Sequence, residues 1–381
     1  MELRTHASIS EVGEAEWDAL LRPEDPPFLS YAWLQTLEQT GCVRPERGWA
    51  PLLLTLHREA ELVAAAPAYV KGNSEGEFVF DHGWARFAEG RLHVDYYPKL
   101  IVAVPFTPAT GKRLLIREGE DEDEIAAAFA QGLRQLVDHF ELSGAHVLFP
   151  PEWQAELLEE HGLFLRLGVQ YHWRNAGYGC FDDFLGRFNS KRRNAIRREC
   201  REMEKQGTRL EVLTGRELTS ELVDHVFEFY RNTVERFYWG RQYLNRAFFH
   251  EIVARMPDGI HVVLARDAGS GRPIGGAFNL LSATALYGRY WGATEERPFL
   301  HFNVCYYRGI EDAIARGLAL FEPGAGGEHK LSRGFDPAAT YSVHHLADSR
   351  LALAVKDFTV REAQEIRHFL EQEAKVSRRL G

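Results

Sequence analysis

Ile260-His-Val-Val-Leu-Ala-Arg266, Pro273-Ile-Gly-Gly-Ala-Phe-Asn-Leu-Leu281 and Ala285-Leu-Tyr-Gly-Arg-Tyr-Trp-Gly-Ala293 are three apolar runs of strand length, set apart by turn residues. Runs of this kind, bounded by Gly, Pro, Asp and Ser, predict strands of one sheet. Directly after them Val304, Tyr307, Ile310 and Ile314 recur at helical spacing, and 318–321 has the length and apolarity of a short strand. A Gly-rich excursion and a strand over 341–346 follow. Strands packed by an intervening helix in this order predict a mixed α/β layer.

The first half of the chain repeats that order. Strands are expected over 51–57, 61–70 and 97–106, and a helix over 121–140. Acidic residues crowd the first turn of that helix, and Ile125, Phe129, Leu133, Leu136 and Phe140 share one face. A strand (146–149), a helix (152–161) and a strand (164–173) complete the set, and an earlier helix over 30–37 has Ser30 as its N-cap. Phe149, Pro151, Gly162 and His172 recur as Phe321, Pro323, Gly334 and His344 at one constant offset. Two copies of one α/β unit are therefore expected, at 1–170 and 171–348, with 349–381 forming a terminal helix that packs back on the first copy through Phe358, Ile366 and Phe369. The second copy opens with a basic helix (183–206), a strand (209–213) and helices over 220–236 and 246–256.

The 381 residues are 45% hydrophobic and 26% charged, values of a globular chain. Lys and Arg number 45 against 55 Asp and Glu, a net charge of -10, so any cationic site must be local. Cys42, Cys180, Cys200 and Cys305 form no CxxC pair, which argues against a disulfide framework or structural zinc and for a reducing cytoplasm. No apolar stretch is long enough to span a bilayer, and Met1 to Glu16 lacks the apolar core of a signal peptide.

Three groups of residues can carry chemistry. Arg187, Lys191, Arg192, Arg193, Arg197, Arg198, Arg201 and Lys205 face only Glu199, Glu202 and Glu204 on one predicted helix, a local charge of +5. Such a helix either grips phosphates, with Lys191, Arg192, Arg193, Arg197 and Arg198 as the contacts, or is a solvated surface laced by pairs such as Arg198–Glu202. Gly324-Ala-Gly-Gly-Glu-His-Lys-Leu-Ser-Arg-Gly-Phe sets Glu328, His329, Lys330 and Arg333 beside flexible glycines. Glu328 or His329 can take a proton from an amine, and Lys330 or Arg333 can face a developing oxyanion; a surface loop held by ion pairs is the alternative. Asp81, His82, Tyr97 and Lys99 in the first half, and Tyr290 and Trp291 in the second, either line a substrate pocket or serve as strand and turn residues, with Trp291 leaning to the core. His344 and His345 alternate across a strand and cannot chelate one ion together; no metal and no cofactor is expected.

Several longer segments are similar to the bacterial FemAB-related (FemABX-like) family of the GNAT N-acyltransferase superfamily, described as peptidoglycan biosynthesis or recognition proteins. They include Glu77-Phe-Val-Phe-Asp-His-Gly-Trp-Ala85, Tyr96-Tyr-Pro-Lys-Leu100, Phe188-Asn-Ser-Lys-Arg-Arg193 and Gly324 to Pro337. The resemblance covers almost the whole chain. It implies tandem GNAT-like domains with mixed sheets, and transfer of an aminoacyl group from tRNA to an amine of a small molecule or peptidoglycan precursor. Acyl-CoA as donor and a non-catalytic recognition protein are the alternatives. Gly292 to Asn303, where acyl-CoA enzymes of this fold hold pyrophosphate on backbone N–H groups, contains one glycine, two acids and Pro298, which disfavours CoA.

Overall fold

The computed structural model describes every residue but 237–239 and 381, and at 328 and 378–380 the backbone alone. The chain divides into two compact units, Met1–Val169 with Ala339–Phe369, and Gln170–Ala338 with Leu370–Gly381.

In the first unit, residues 342–346 pair with Gly144–Leu148, followed by Lys99–Val102, Ala68–Lys71 and Trp49–Pro51. Only the contact between Lys99–Val102 and Gly144–Leu148 is parallel. A smaller antiparallel sheet orders Glu2–His6, Leu53–Arg58, Glu61–Ala66 and Leu115–Ile116. The helix Glu122–His139 starts at Asp121, whose carboxylate accepts the N–H groups of Asp123 and Glu124. Its Ile125, Phe129, Leu133 and Leu136 enter a core with Val63, Leu100, Val102 and Val147. The strand expected over 61–70 is two strands, because Pro67 has no N–H to continue a ladder.

Residues 339–348 were expected in the second copy, yet 342–346 hydrogen-bond with 144–148, and this stretch lies in the first unit. The terminal helix, expected over 349–381, is Ser349–Leu380, and Ala339–Phe369 belongs to the first unit. Its anchors there are Leu351 and Val355, packed with Trp84, Tyr96 and Phe164, and a two-bond contact of Arg166 with Glu362 at 2.7 and 2.9 Å. Phe358 and Phe369, expected as anchors, stay 43% and 40% exposed.

The second unit strings Thr208–Thr214, Ile260–Asp267, Pro273–Leu281 and Ala285–Ala293 into an antiparallel meander. Leu320–Glu322 then adds in parallel, and Trp173 and Arg174 pair with it. Gly292 lets this sheet meet the helix Ser220–Arg236: a Cβ there would lie 1.8 Å from the Phe229 carbonyl oxygen. The basic segment is two helices, Phe181–Gly186 and Ser190–Lys205, the second capped by the Asn189 side chain. After the meander the chain passes from Leu300–Phe302 through a wide π-turn, Asn303–Tyr307, into the helix Arg308–Ala315. The Gly-rich excursion closes as a 3₁₀ turn, Glu328–Arg333, between Gly327 and Gly334, whose φ values of 93° and 90° suit glycine.

Candidate functional site

The 3₁₀ turn and the π-turn meet in the second unit. His329 is exposed, and its Nε2 lies 3.0 Å from the Tyr306 hydroxyl. The His301 ring lies 4.3 Å from Trp291, 5.2 Å from Tyr306 and 5.8 Å from His329, centroid to centroid. Burial first, then the neighbouring His329, Arg333 and Lys330, lowers the His301 pKa to about 4. Burial, then Arg333 and Lys330, also lowers His329. Both imidazoles are therefore neutral at physiological pH, and the Tyr306 phenol, pushed up by burial, keeps its proton.

Beside them is a cavity of about 520 Å³ walled by Trp291, Phe299, His301 and Phe302, with Arg236, Glu295, Glu296 and Arg297 at its edge. The 3₁₀ turn does not line this cavity; it reaches it through His301 and Phe302, which touch His329. The guanidiniums around it are spent: Arg297 on Asp267 and Glu295, each at 2.8 Å, and Arg236 on Glu296 at 3.3 Å.

The residues expected at the reaction centre take different places. The Glu328 side chain lies outside the described residues. Lys330 is buried and donates to the carbonyls of Gly324 at 2.6 Å and Ala325 at 3.3 Å, tying the glycine loop; burial lowers its pKa to about 8. Arg333 is also buried. It lies 3.3 Å above the Phe302 ring, donates to the His329 carbonyl at 3.0 Å, and reaches Glu199. His329 alone of the three is exposed.

Tyr290 and Trp291 point to opposite sides of their strand. Tyr290 enters an aromatic group with Tyr230, Phe249 and Phe278. Trp291, expected rather as core, is half-buried and walls the cavity.

The basic helix Ser190–Lys205 sorts its cations by face. Arg192 turns inward, donating to the Ser332 carbonyl and lying 3.8 Å from Glu199, while Arg193 donates to the Phe188 carbonyl at 3.2 Å. Arg197 pairs with Asp182 at 2.8 Å. Lys191 and Arg198 are exposed. Glu202, expected to pair with Arg198, instead binds Lys205 at 2.9 Å.

In the first unit, Asp81 and Lys99 are buried in a charge cluster. Lys99 Nζ donates to Glu77 at 2.7 Å, to Ser74 at 2.9 Å and to Asp81, and the Tyr96 hydroxyl donates to Asp81 at 2.8 Å. Although burial disfavours its charge, the two carboxylates hold the Lys99 pKa above the ordinary lysine value. Burial raises Glu77 to about 7 despite Lys99, while Lys99 holds Asp81 below the usual carboxylate range against its burial. Asp81 therefore carries the counter-charge. Tyr97 is half-buried and hydrogen-bonds Ser74 at 2.7 Å; His82 is exposed. His344 is buried with its Nδ1 2.8 Å from His146 Nδ1, and His345 is half-buried on the opposite face. Among the described residues no three His, Cys, Asp or Glu side chains converge as metal ligands, and no helix is long and apolar enough to cross a membrane.

His301, Tyr306 and Glu199 were not singled out from the sequence. His301 sits in the short turn Leu300–Phe302 and Tyr306 on the π-turn that follows it, whose wide winding takes Tyr306 off the face marked by Val304, Tyr307 and Ile310. Glu199 carried a legible signal, since it falls between Ile196 and Met203 on the buried face of its helix.

Residues 8–378 match the model of the FemAB-like family of peptidoglycan biosynthesis and recognition proteins, and the chain belongs to that family. Its architecture is the α/β tandem GNAT-like fold. It is similar to FemX at 12% identity and a TM-score of 0.53, over 93% of this chain and 100% of that one. L-PGS from Bacillus licheniformis is 10% identical with a TM-score of 0.50, over 85% of this chain and 93% of that one. A protein of unknown function from Bacteroides thetaiotaomicron is 11% identical with a TM-score of 0.51, over 90% and 99%. No curated protein matches the chain in sequence. Family and fold together place it among the acyltransferase-fold proteins of peptidoglycan biosynthesis and recognition.

Proposed function

We propose that the chain transfers an aminoacyl group from tRNA to an amine of a peptidoglycan precursor, at the cavity walled by Trp291, His301 and Phe302. The observation that carries this is the exposed His329 imidazole, kept neutral and held by Tyr306 next to that cavity. When His329 Nε2–H donates to the Tyr306 hydroxyl, Nδ1 keeps a free lone pair. The attacking amine forms a C–N bond to the ester carbonyl and gives its proton to Nδ1. The ester C–O bond then breaks, and the same proton leaves on the ribose hydroxyl. Holding amine and ester together removes much of the barrier. Lys330 and Arg333 act by positioning the turn.

Charge at the cavity edge separates the two donors. Every guanidinium at the cavity edge is neutralised by a carboxylate, and Pro298 lacks an N–H, so a CoA pyrophosphate finds neither cations nor an N–H cradle there. Exposed Lys191 and Arg198 suit RNA phosphates instead. The test is a transfer screen read by mass spectrometry, with charged tRNA and acyl-CoA in parallel against a panel of amines including a muramyl peptide. Product from charged tRNA that is lost in His329→Ala supports the proposal. Product from acyl-CoA alone, or undiminished transfer by His329→Ala, overturns it.

A further inference from the structure

A second cavity of the second unit, about 850 Å³, is distinct from the one beside His301. It opens between the helices Ser190–Lys205 and Arg308–Ala315 and the strand Thr208–Thr214, which is the edge strand of its sheet. Arg197 and Arg201 reach it from one helical stripe, four residues apart, while Arg209 comes from the strand and Arg308 from the other helix. This stripe differs from both the buried one (Ile196, Glu199, Met203) and the outward one bearing Lys191 and Arg198. Phe181, Leu185, Leu210 and Tyr307 supply apolar wall.

The acids at this cavity are Asp182, Glu204 and Glu311. Asp182 is spent on Arg197 and Glu311 on Arg308. Both pairs are partly exposed, with Asp182 73% and Glu311 48% open to solvent, and pairs of this kind contribute little and exchange readily for a better anion. Arg201 and Arg209 are exposed and enter no ion pair among the described residues, which leaves two free guanidiniums against Glu204 alone. Four guanidiniums lining one cavity, in a chain of net charge -10, suit a ligand with several closely spaced anionic oxygens. Guanidinium forks fit phosphate oxygens two at a time.

We infer that this cavity binds a diphosphate, with Arg201 and Arg209 as the primary contacts and Arg197 and Arg308 recruited from their surface pairs. The inference is independent of the transfer chemistry at His329, because it concerns a separate cavity and its test reads binding alone. The diphosphate can be free or carried by a nucleoside, whose base the Phe181 and Tyr307 wall would cover.

The test is titration calorimetry of the full chain with pyrophosphate, ADP and adenosine. Arg201→Ala and Arg209→Ala are expected to weaken pyrophosphate binding about tenfold each, Glu204→Gln to tighten it, and Lys356→Ala, in the first unit, to leave it unchanged. Both arginines are exposed, so the variants should keep the wild-type circular dichroism and melting temperature. ADP binding at least tenfold tighter than pyrophosphate, with adenosine silent, assigns the nucleoside-borne form; equal affinities assign the free one. No pyrophosphate or ADP binding, or binding that Arg201→Ala and Arg209→Ala weaken no more than Lys356→Ala does, overturns the site.

Discussion

The Arg333 guanidinium reaches the buried Glu199 carboxylate at 3.3 Å while lying at the same distance above the Phe302 ring. Glu199 also accepts from the Tyr307 hydroxyl and lies 3.8 Å from Arg192, whose Nε holds the Ser332 carbonyl. One acid on the basic helix thus fixes the 3₁₀ turn that carries His329. Glu199→Ala should destabilise the fold by about 3 kcal/mol, because it leaves Arg333 and Arg192 poorly paired away from water. Glu199→Gln, which keeps an acceptor, should cost less. Urea denaturation of the two variants measures both, and equal midpoints for Glu199→Ala and wild type would show that the carboxylate does not hold the turn.

Tyr306 and His329 give a kinetic prediction. Tyr306→Phe removes the hydroxyl 3.0 Å from Nε2 and frees the imidazole tautomer without opening a cavity. Transfer from charged tRNA should fall about fivefold to tenfold in kcat with KM unchanged, the size expected for one lost hydrogen bond. Loss confined to KM would place Tyr306 in binding instead.

How far the sequence foretold this depends on what each pattern reports. Local pattern found the meander 260–293 and the helix at 122–139, because turn-bounded apolar runs and a single apolar helical face are written in neighbouring residues. It joined Phe181–Gly186 to Ser190–Lys205, since the cap at Asn189 sits inside a continuous basic run. The Gly324 to Phe335 segment drew attention through composition, but composition does not say where a cation points. Lys330 and Arg333 turn inward to carbonyls and to Glu199, and His301, a lone histidine in sequence, becomes half of the imidazole pair only when the turn Leu300–Phe302 packs beside the 3₁₀ turn that carries His329.

Acid should unfold the chain at a mild pH. Burial lowers His146 and His344 well below 6.5, His172 to about 3 and His301 to about 4. Between pH 6.5 and about 4 the unfolded chain takes up these protons and the folded chain does not, so stability falls with pH across that window. Glu77, raised to about 7 by burial, acts in the opposite sense from about 7 down to 4.5, but it is one group against four. The net slope approaches about 4 kcal/mol per pH unit at most, enough to exhaust an ordinary stability of about 5–15 kcal/mol within a few units. Melting temperatures at stepped pH should drop steeply below 6, and from about 7 upward they should still rise, because folded Lys71 and Lys330, lowered by burial to about 7 and about 8, release protons that the unfolded chain keeps. Substituting His344 with Gln should make the drop shallower.

Lys99 offers the sharpest separation of a structural role from a ligand-binding one in the first unit. Its ammonium is the shared donor to Glu77 and Asp81, and Glu77 Oε1 and Asp81 Oδ1 are buried without a further partner. Lys99→Met removes the charge that keeps Asp81 ionised. It should cost about 3–5 kcal/mol, the penalty of an uncompensated buried acid. Adding Asp81→Asn and Glu77→Gln to Lys99→Met removes the stranded charge and should recover most of that loss, since neutral replacement of a buried ion cluster is often tolerated. Calorimetric melting of the single and triple variants measures the recovery. A triple variant no more stable than Lys99→Met would mean that the cluster holds this unit through hydrogen-bond geometry rather than charge balance.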